Sequence, residues 1–159
     1  MDSSDSKIAM LRHTVATLAY RARKPLSGAP ADFASFAGSV PRTPGKILAH
    51  LCDLFDWALS LANGAEAWKN SDVGPWEEDV TRFFAKLEAF DQRLAASTPL
   101  GCEPERLFQG PIADALTHVG QLAMLRRLAG SPVKGENYFV AKMSAGRVGK
   151  DQAPPVYEF

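Results

Sequence analysis

Three side chains in this sequence have the types and the helical placement to hold a divalent metal ion together: His50, Asp114 and His118. Asp114 and His118 lie four apart in the stretch Gly110–Gly130, GPIADALTHVGQLAMLRRLAG. Residues four apart on a helix sit one above the other, so this carboxylate and imidazole point the same way. The residues around them, Ile112, Ala115, Leu116, Val119, Leu122, Ala123, Met124 and Leu125, are apolar nearly all round the helix. That pattern predicts a helix buried on most sides. A carboxylate in apolar surroundings must find a partner, because a lone buried charge is costly. A divalent cation would satisfy both groups. The plainer alternatives are that Asp114 caps the first turn, or that it accepts a hydrogen bond from His50 or His118 around an empty site.

The elements that must position these groups read as helices. Pro111 suits a first helical position and Gly130 a stop, which bounds the helix carrying Asp114 and His118. His50 falls in an earlier helix opened by Thr43-Pro44 and closed by Asn63-Gly64. There Ile47, Leu51, Leu54, Phe55, Ala58 and Leu59 form an apolar stripe, and His50 falls on an inward-facing surface beside it. Asp53, one turn on, is a candidate acceptor to support the imidazole, whereas Asp56 reads as a solvated flank residue. A first helix is expected from about Asp5 to Arg23, ended by Pro25, with His13 off its apolar stripe. The loop from Leu26 to Arg42 is expected to be pinned by Phe33 and Phe36.

Asn70 to Pro75 reads as a turn. A third helix then runs from Pro75 to about Ala96, buried through Phe83, Phe84, Leu87, Phe90 and Leu94, with Glu78 and Arg82 placed for an exposed ion pair. Ser97 to Gln109 is a connection with room for a short helical turn at Pro104–Leu107. Ser131–Phe159 has no periodic pattern, but Tyr138, Phe139, Tyr157 and Phe159 argue for packing over the body or into a second subunit. Four long helices without strand signals make an all-α antiparallel four-helix bundle the expected architecture, with residues 1–159 one domain ending in an irregular tail.

Composition argues against several classes, though it leaves room for a local basic patch. Lysine plus arginine and aspartate plus glutamate are 18 each, so the net charge is zero and the basic excess of a nucleic-acid binder is missing. Cys52 and Cys102 show no spacing of a thiolate zinc site. The polar start MDSSDSK lacks a signal peptide's apolar core, and no apolar run is long enough to span a bilayer. The reading is a cytoplasmic protein that binds neither nucleic acid nor membrane.

Helical bundles build metal sites from side chains on facing helices. His50 from one wall with Asp114 and His118 from the other make three ligands, leaving positions open for water or substrate. Here the sequence resembles the DinB/YfiT-like superfamily. TPGKILAHLCDLFDWAL is similar to the family's T-P-x-x-I-L-x-H entry to the second helix, and DALTHVGQLAMLRRLAG to its H-x-x-x-H-x-G-Q segment on the fourth. The resemblance runs from about residue 8 to 130. It implies a four-helix bundle with a divalent metal (zinc, nickel, iron or manganese) held by His50, His118 and Asp114.

Asp114 departs from the family's pattern, which has histidine there. Two histidines and a carboxylate also occur at non-haem iron sites. The extra negative charge should favour a harder metal, hold bound water's pKa higher and weaken Lewis acidity. The family includes transferases and an isomerase that use low-molecular-weight thiols such as bacillithiol, mycothiol or glutathione, and dimers are common in it. The resemblance therefore implies a metal-dependent thiol transferase or hydrolase acting on a small molecule, as a homodimer. The alternative is a non-catalytic metal- or small-ligand-binding bundle linked to stress. Asp53, Glu136 and Tyr138 are the candidates for a general base or for support around the metal.

Overall fold

In the computed structural model, which describes residues 3–38 and 41–159, the chain is all-helical and no strand occurs among the described residues. The first two residues of the polar N-terminus, and positions 39–40 of the loop before the second helix, lie outside the described residues. Four long helices carry the fold: α1 (Ser3–Leu26), α2 (Pro44–Ala62), α3 (Trp76–Ala95) and α5 (Ala113–Leu128). A four-residue helix, α4 (Pro104–Leu107), and a π turn (Phe108–Ile112) lead directly into α5. No helix among the described residues is long and apolar enough to cross a membrane.

Each of α1 and α2 packs against both α3 and α5, closing a ring around one core. Phe55, Phe83 and Phe90 fill its middle, with Phe55 5.7 Å from Phe90 and 6.0 Å from Phe83. Burying each such ring is worth roughly 2 kcal/mol. The buried face of α3 is the expected one: Phe83, Phe84, Leu87, Phe90 and Leu94.

The helix directions differ from simple alternation. Cys52 bonds Asp79, Asp56 pairs with Lys86 and Asn63 bonds Arg93, so α2 and α3 run the same way. Lys7 pairs with Glu105 and Arg126 bonds Pro25, so α1 runs parallel to the α4–α5 rod. Arg12 on Asp91 and Trp76 on Leu26 make α1 and α3 antiparallel. Two parallel consecutive helices need a connection that returns along their length. Residues 63–75 supply it: Ala67 bonds Ser60, Ser71 bonds Asp53, and Val73 lies against Gly45. The turn expected at Asn70–Pro75 is thus the end of a long crossover strap on α2.

Local sequence explains the helix limits. Thr43 caps α2, accepting from the Lys46 amide at 3.4 Å, and Asn63 ends it. α1 continues through Pro25 to Leu26, because a proline in the last turn forfeits only one hydrogen bond. The sequence places Pro111 at the start of its helix; instead it lies within the π turn, where the widened register spares it an amide donor. Gly130, at φ 75°, ends α5 in the left-handed region. α5 is also less buried than its composition suggests. Ala115, His118, Val119, Leu122, Leu125 and Arg126 face inward, while Met124 and Leu128 are more than half exposed.

Two buried or half-buried arginines staple the ends. Arg126 gives hydrogen bonds to the carbonyls of Pro25, Ser27 and Gly28, tying the ends of α1 and α5 together. Arg93 does the same for α2 through Ala62 and Pro99. The tail folds over α1 as one of its two expected placements: Val148 is buried in the core, and Arg23 bonds the Ala153 carbonyl.

Candidate metal centre

His50 stands on α2 seven residues after its Thr43 cap, at the seam with α5. Asp114 and His118 stand on the first two turns of α5, immediately after the π turn. The three residues each offer one ligand atom, and these atoms lie within 4.8 Å of one another. Asp114 Oδ2 is 3.3 Å from His50 Nε2, and Asp114 Oδ1 is 3.5 Å from His118 Nε2. The two imidazole rings meet edge to face, 4.9 Å between centroids. The site is a rim site: His118 is buried, His50 half-buried, and the Asp114 side chain 45% exposed.

The donor set fits a cation. His118 Nδ1 lies 2.7 Å from Gln121 Oε1, an acceptor, so this nitrogen carries the ring proton. In a neutral His118 the bare Nε2 then faces a carboxylate oxygen at 3.5 Å. Two acceptors so placed repel each other, and a cation between them turns repulsion into coordination. Fixing the ring through its outer nitrogen is the usual way a metal-binding histidine is oriented. Gln121 is the residue that sequence reasoning missed. It stands in the G-Q pair of the quoted motif, three residues after His118, a spacing that brings it back over the ring.

One wall beside the site is aromatic. Trp68, on the crossover strap, is 5.7 Å from the His50 ring, and Trp57 stands 5.8 Å from Trp68. Their indole N–H groups are taken by Asn70 and Glu66.

The other candidates lie elsewhere. Both Asp53 oxygens accept from Ser71, through its amide at 2.9 Å and its hydroxyl at 2.6 Å, so Asp53 anchors the strap and does not support His50. Tyr138 lies against α1, edge-on to Tyr20 and under the Arg21 guanidinium. Glu136 is buried against α1, hydrogen-bonded to Tyr20 and ion-paired with Lys24. His13 is exposed, as expected. Asp56 is exposed and pairs with Lys86, and Arg82 pairs with Asp79 in place of Glu78. Both cysteines are free thiols; burial pushes Cys52 up to about 11, which leaves it protonated and unreactive at neutral pH.

No protein-family model, curated protein or solved structure matches the chain.

Proposed function

We propose that this chain is a divalent-metal-dependent enzyme of the DinB-like type, a thiol-dependent transferase or hydrolase on a four-helix bundle. The single observation that carries the reading is the convergence of His50, Asp114 and His118 from two helices onto one point. The matching T-P-x-x-I-L-x-H and H-x-G-Q stretches support the family reading. In it, His50 and His118 hold the ion (zinc, nickel, iron or manganese) and Asp114 adds a negative ligand. A bound metal supplies Lewis acidity, lowering the pKa of a thiol or water beside it. Gln121 keeps the His118 Nε2 lone pair aimed at the site, and the Trp57–Trp68 pair flanks it beside His50. A cytoplasmic homodimer using a low-molecular-weight thiol completes the proposal.

A second reading, a metal- or small-ligand-binding protein without catalysis, is favoured by one observation. None of the general-base candidates, Asp53, Glu136 or Tyr138, is joined to the three ligands.

Metal analysis after loading with each of the four ions tests the site. Wild type should retain stoichiometric metal, His50→Ala should retain none, and Gln121→Ala should bind roughly 10–100-fold more weakly. Equal retention by wild type and His50→Ala would sink the site. A change in the spectrum of the cobalt-loaded protein on adding small thiols then separates enzyme from binder.

A further inference from the structure

We infer that a second ligand site adjoins this wall: a cleft of about 460 Å³ between the end of α2 and the π turn that takes a small amphoteric molecule, one bearing a carboxylate and an amine. The inference stands without the metal. The volume is in the range of small-molecule sites. Trp57, Glu66, Cys102, Arg106, Gln109 and Gly110 contribute to its lining.

Charge sets this cleft apart. Arg106 and Glu66 face it with opposite signs, both exposed, yet no ion pair joins them. Arg106 has no carboxylate partner among the described residues. Among the described residues Glu66 accepts only the Trp57 indole N–H, at 3.2 Å through Oε1, and no bond to Oε2 occurs. Two opposite charges that share a cleft without neutralising each other suit a ligand that carries both signs. Its carboxylate pairs with the Arg106 fork. Its ammonium sits by Glu66, against the indole, where ring attraction adds to charge.

Gly110 keeps that indole open: a Cβ there would already touch the Trp57 ring at 3.7 Å, and a longer side chain would cover it. Burial pushes the Cys102 thiol up, so it lines the cleft as a neutral group. The larger cavity, about 840 Å³ between α1 and the loop before α4, lacks this signature, because its Arg12 is already paired with Asp91.

Calorimetric titration of the metal-free full chain with L-phenylalanine tests the assignment. N-acetyl-L-phenylalanine, without the cation, and phenethylamine, without the carboxylate, serve as comparisons. Phenylalanine should bind at least about tenfold more tightly than either. Arg106→Ala should reduce phenylalanine to the level of phenethylamine, and Glu66→Gln to the level of the acetylated form. His50→Ala should leave its binding unchanged, which separates this result from any failure of the metal site. Both substituted residues are exposed, and circular dichroism confirms that the variants fold. No binding of phenylalanine at millimolar concentration, equal binding of the three probes, or an unchanged Arg106→Ala would overturn the inference.

Discussion

Two clusters of polar side chains bridge elements far apart in this sequence, and they are built on opposite plans. At the tail, the Tyr20 hydroxyl donates to Glu136 Oε1 at 2.5 Å, and Lys24 Nζ lies 2.8 Å from Glu136 Oε2. That oxygen has no well-aligned hydrogen bond and is held by charge. The Glu136 side chain is 0% exposed. At the seam of α2 and α5, by contrast, contacts of 3.3 and 3.5 Å join groups of which one is nearly half open to water. In the first cluster each charge is used up by its neighbours. In the second, lone pairs outnumber protons, and the capacity left over is what a ligand can use. Tight mutual saturation marks structure; slack among good donors marks a site.

The contrast is broken most forcefully at Glu136. Glu136→Ala leaves the Tyr20 hydroxyl without its acceptor and Lys24 with Glu158 and the Lys134 carbonyl. Burial, then Glu136, raise the Tyr20 pKa to about 12, so the phenol is the donor throughout the neutral range. Breaking a buried pair by removing one member costs about 3 kcal/mol or more. Denaturant unfolding should show that loss, and near-wild-type stability would mean that the tail is held by Val148 and backbone contacts instead.

How much of this was legible depends on the period of the signal. The three candidate ligands could be found because helical spacing projects Asp114 and His118 onto one face, and the Thr43-Pro44 cap fixes the register that places His50. The α3 face was equally plain from Phe83 to Leu94. Helix direction was not legible: residues 63–75 look like any polar connection, and only their bonds to Ser60 and Asp53 show a return along α2. Pro111 reads as a helix start, since local sequence does not distinguish that from a π turn preceded by α4. The tail clamp escaped because Lys24 and Glu136 are 112 positions apart and neither belongs to a periodic pattern. Arg126 and Arg93 look like solvated helix-end residues until their carbonyl partners are seen.

The rim of the clamp should respond to pH. The Glu158 carboxyl is held below its usual 4.5 by its bond to Lys24. Burial pulls the Lys24 ammonium down, but the bonds to Glu136 and Glu158 outweigh this and hold it above 10.5. A depressed carboxyl contributes stability above its unfolded pKa and loses it as pH falls through the folded value. A raised ammonium contributes below its unfolded value and loses it as pH rises. The tether is therefore complete from about pH 4.5 to 10.5 and loosens outside that window. The amides of Asn137 and Phe159, bonded to Tyr157 and Gly135, report it by their chemical shifts. Glu158→Gln should remove the acid-side change, and a persistent transition would assign it to another carboxyl.

The smallest expected effect is the sharpest discriminator. Asp114→Asn keeps the size of the side chain and removes its charge at a half-exposed position. If the carboxylate is there for a cation, the metal-free protein has little to lose, and its stability should change by no more than about 0.5 kcal/mol. Metal retention should fall at the same time. If instead Asp114 serves to hold His50 and His118 in place, the same substitution should destabilise the metal-free protein by about 1.5–3 kcal/mol, as for any structural hydrogen bond to a charged group. Urea unfolding in the presence of a chelator reads that difference directly. A loss that large would place the seam in the same class as the tail clamp, and the distinction between slack and saturated clusters would fail for this molecule.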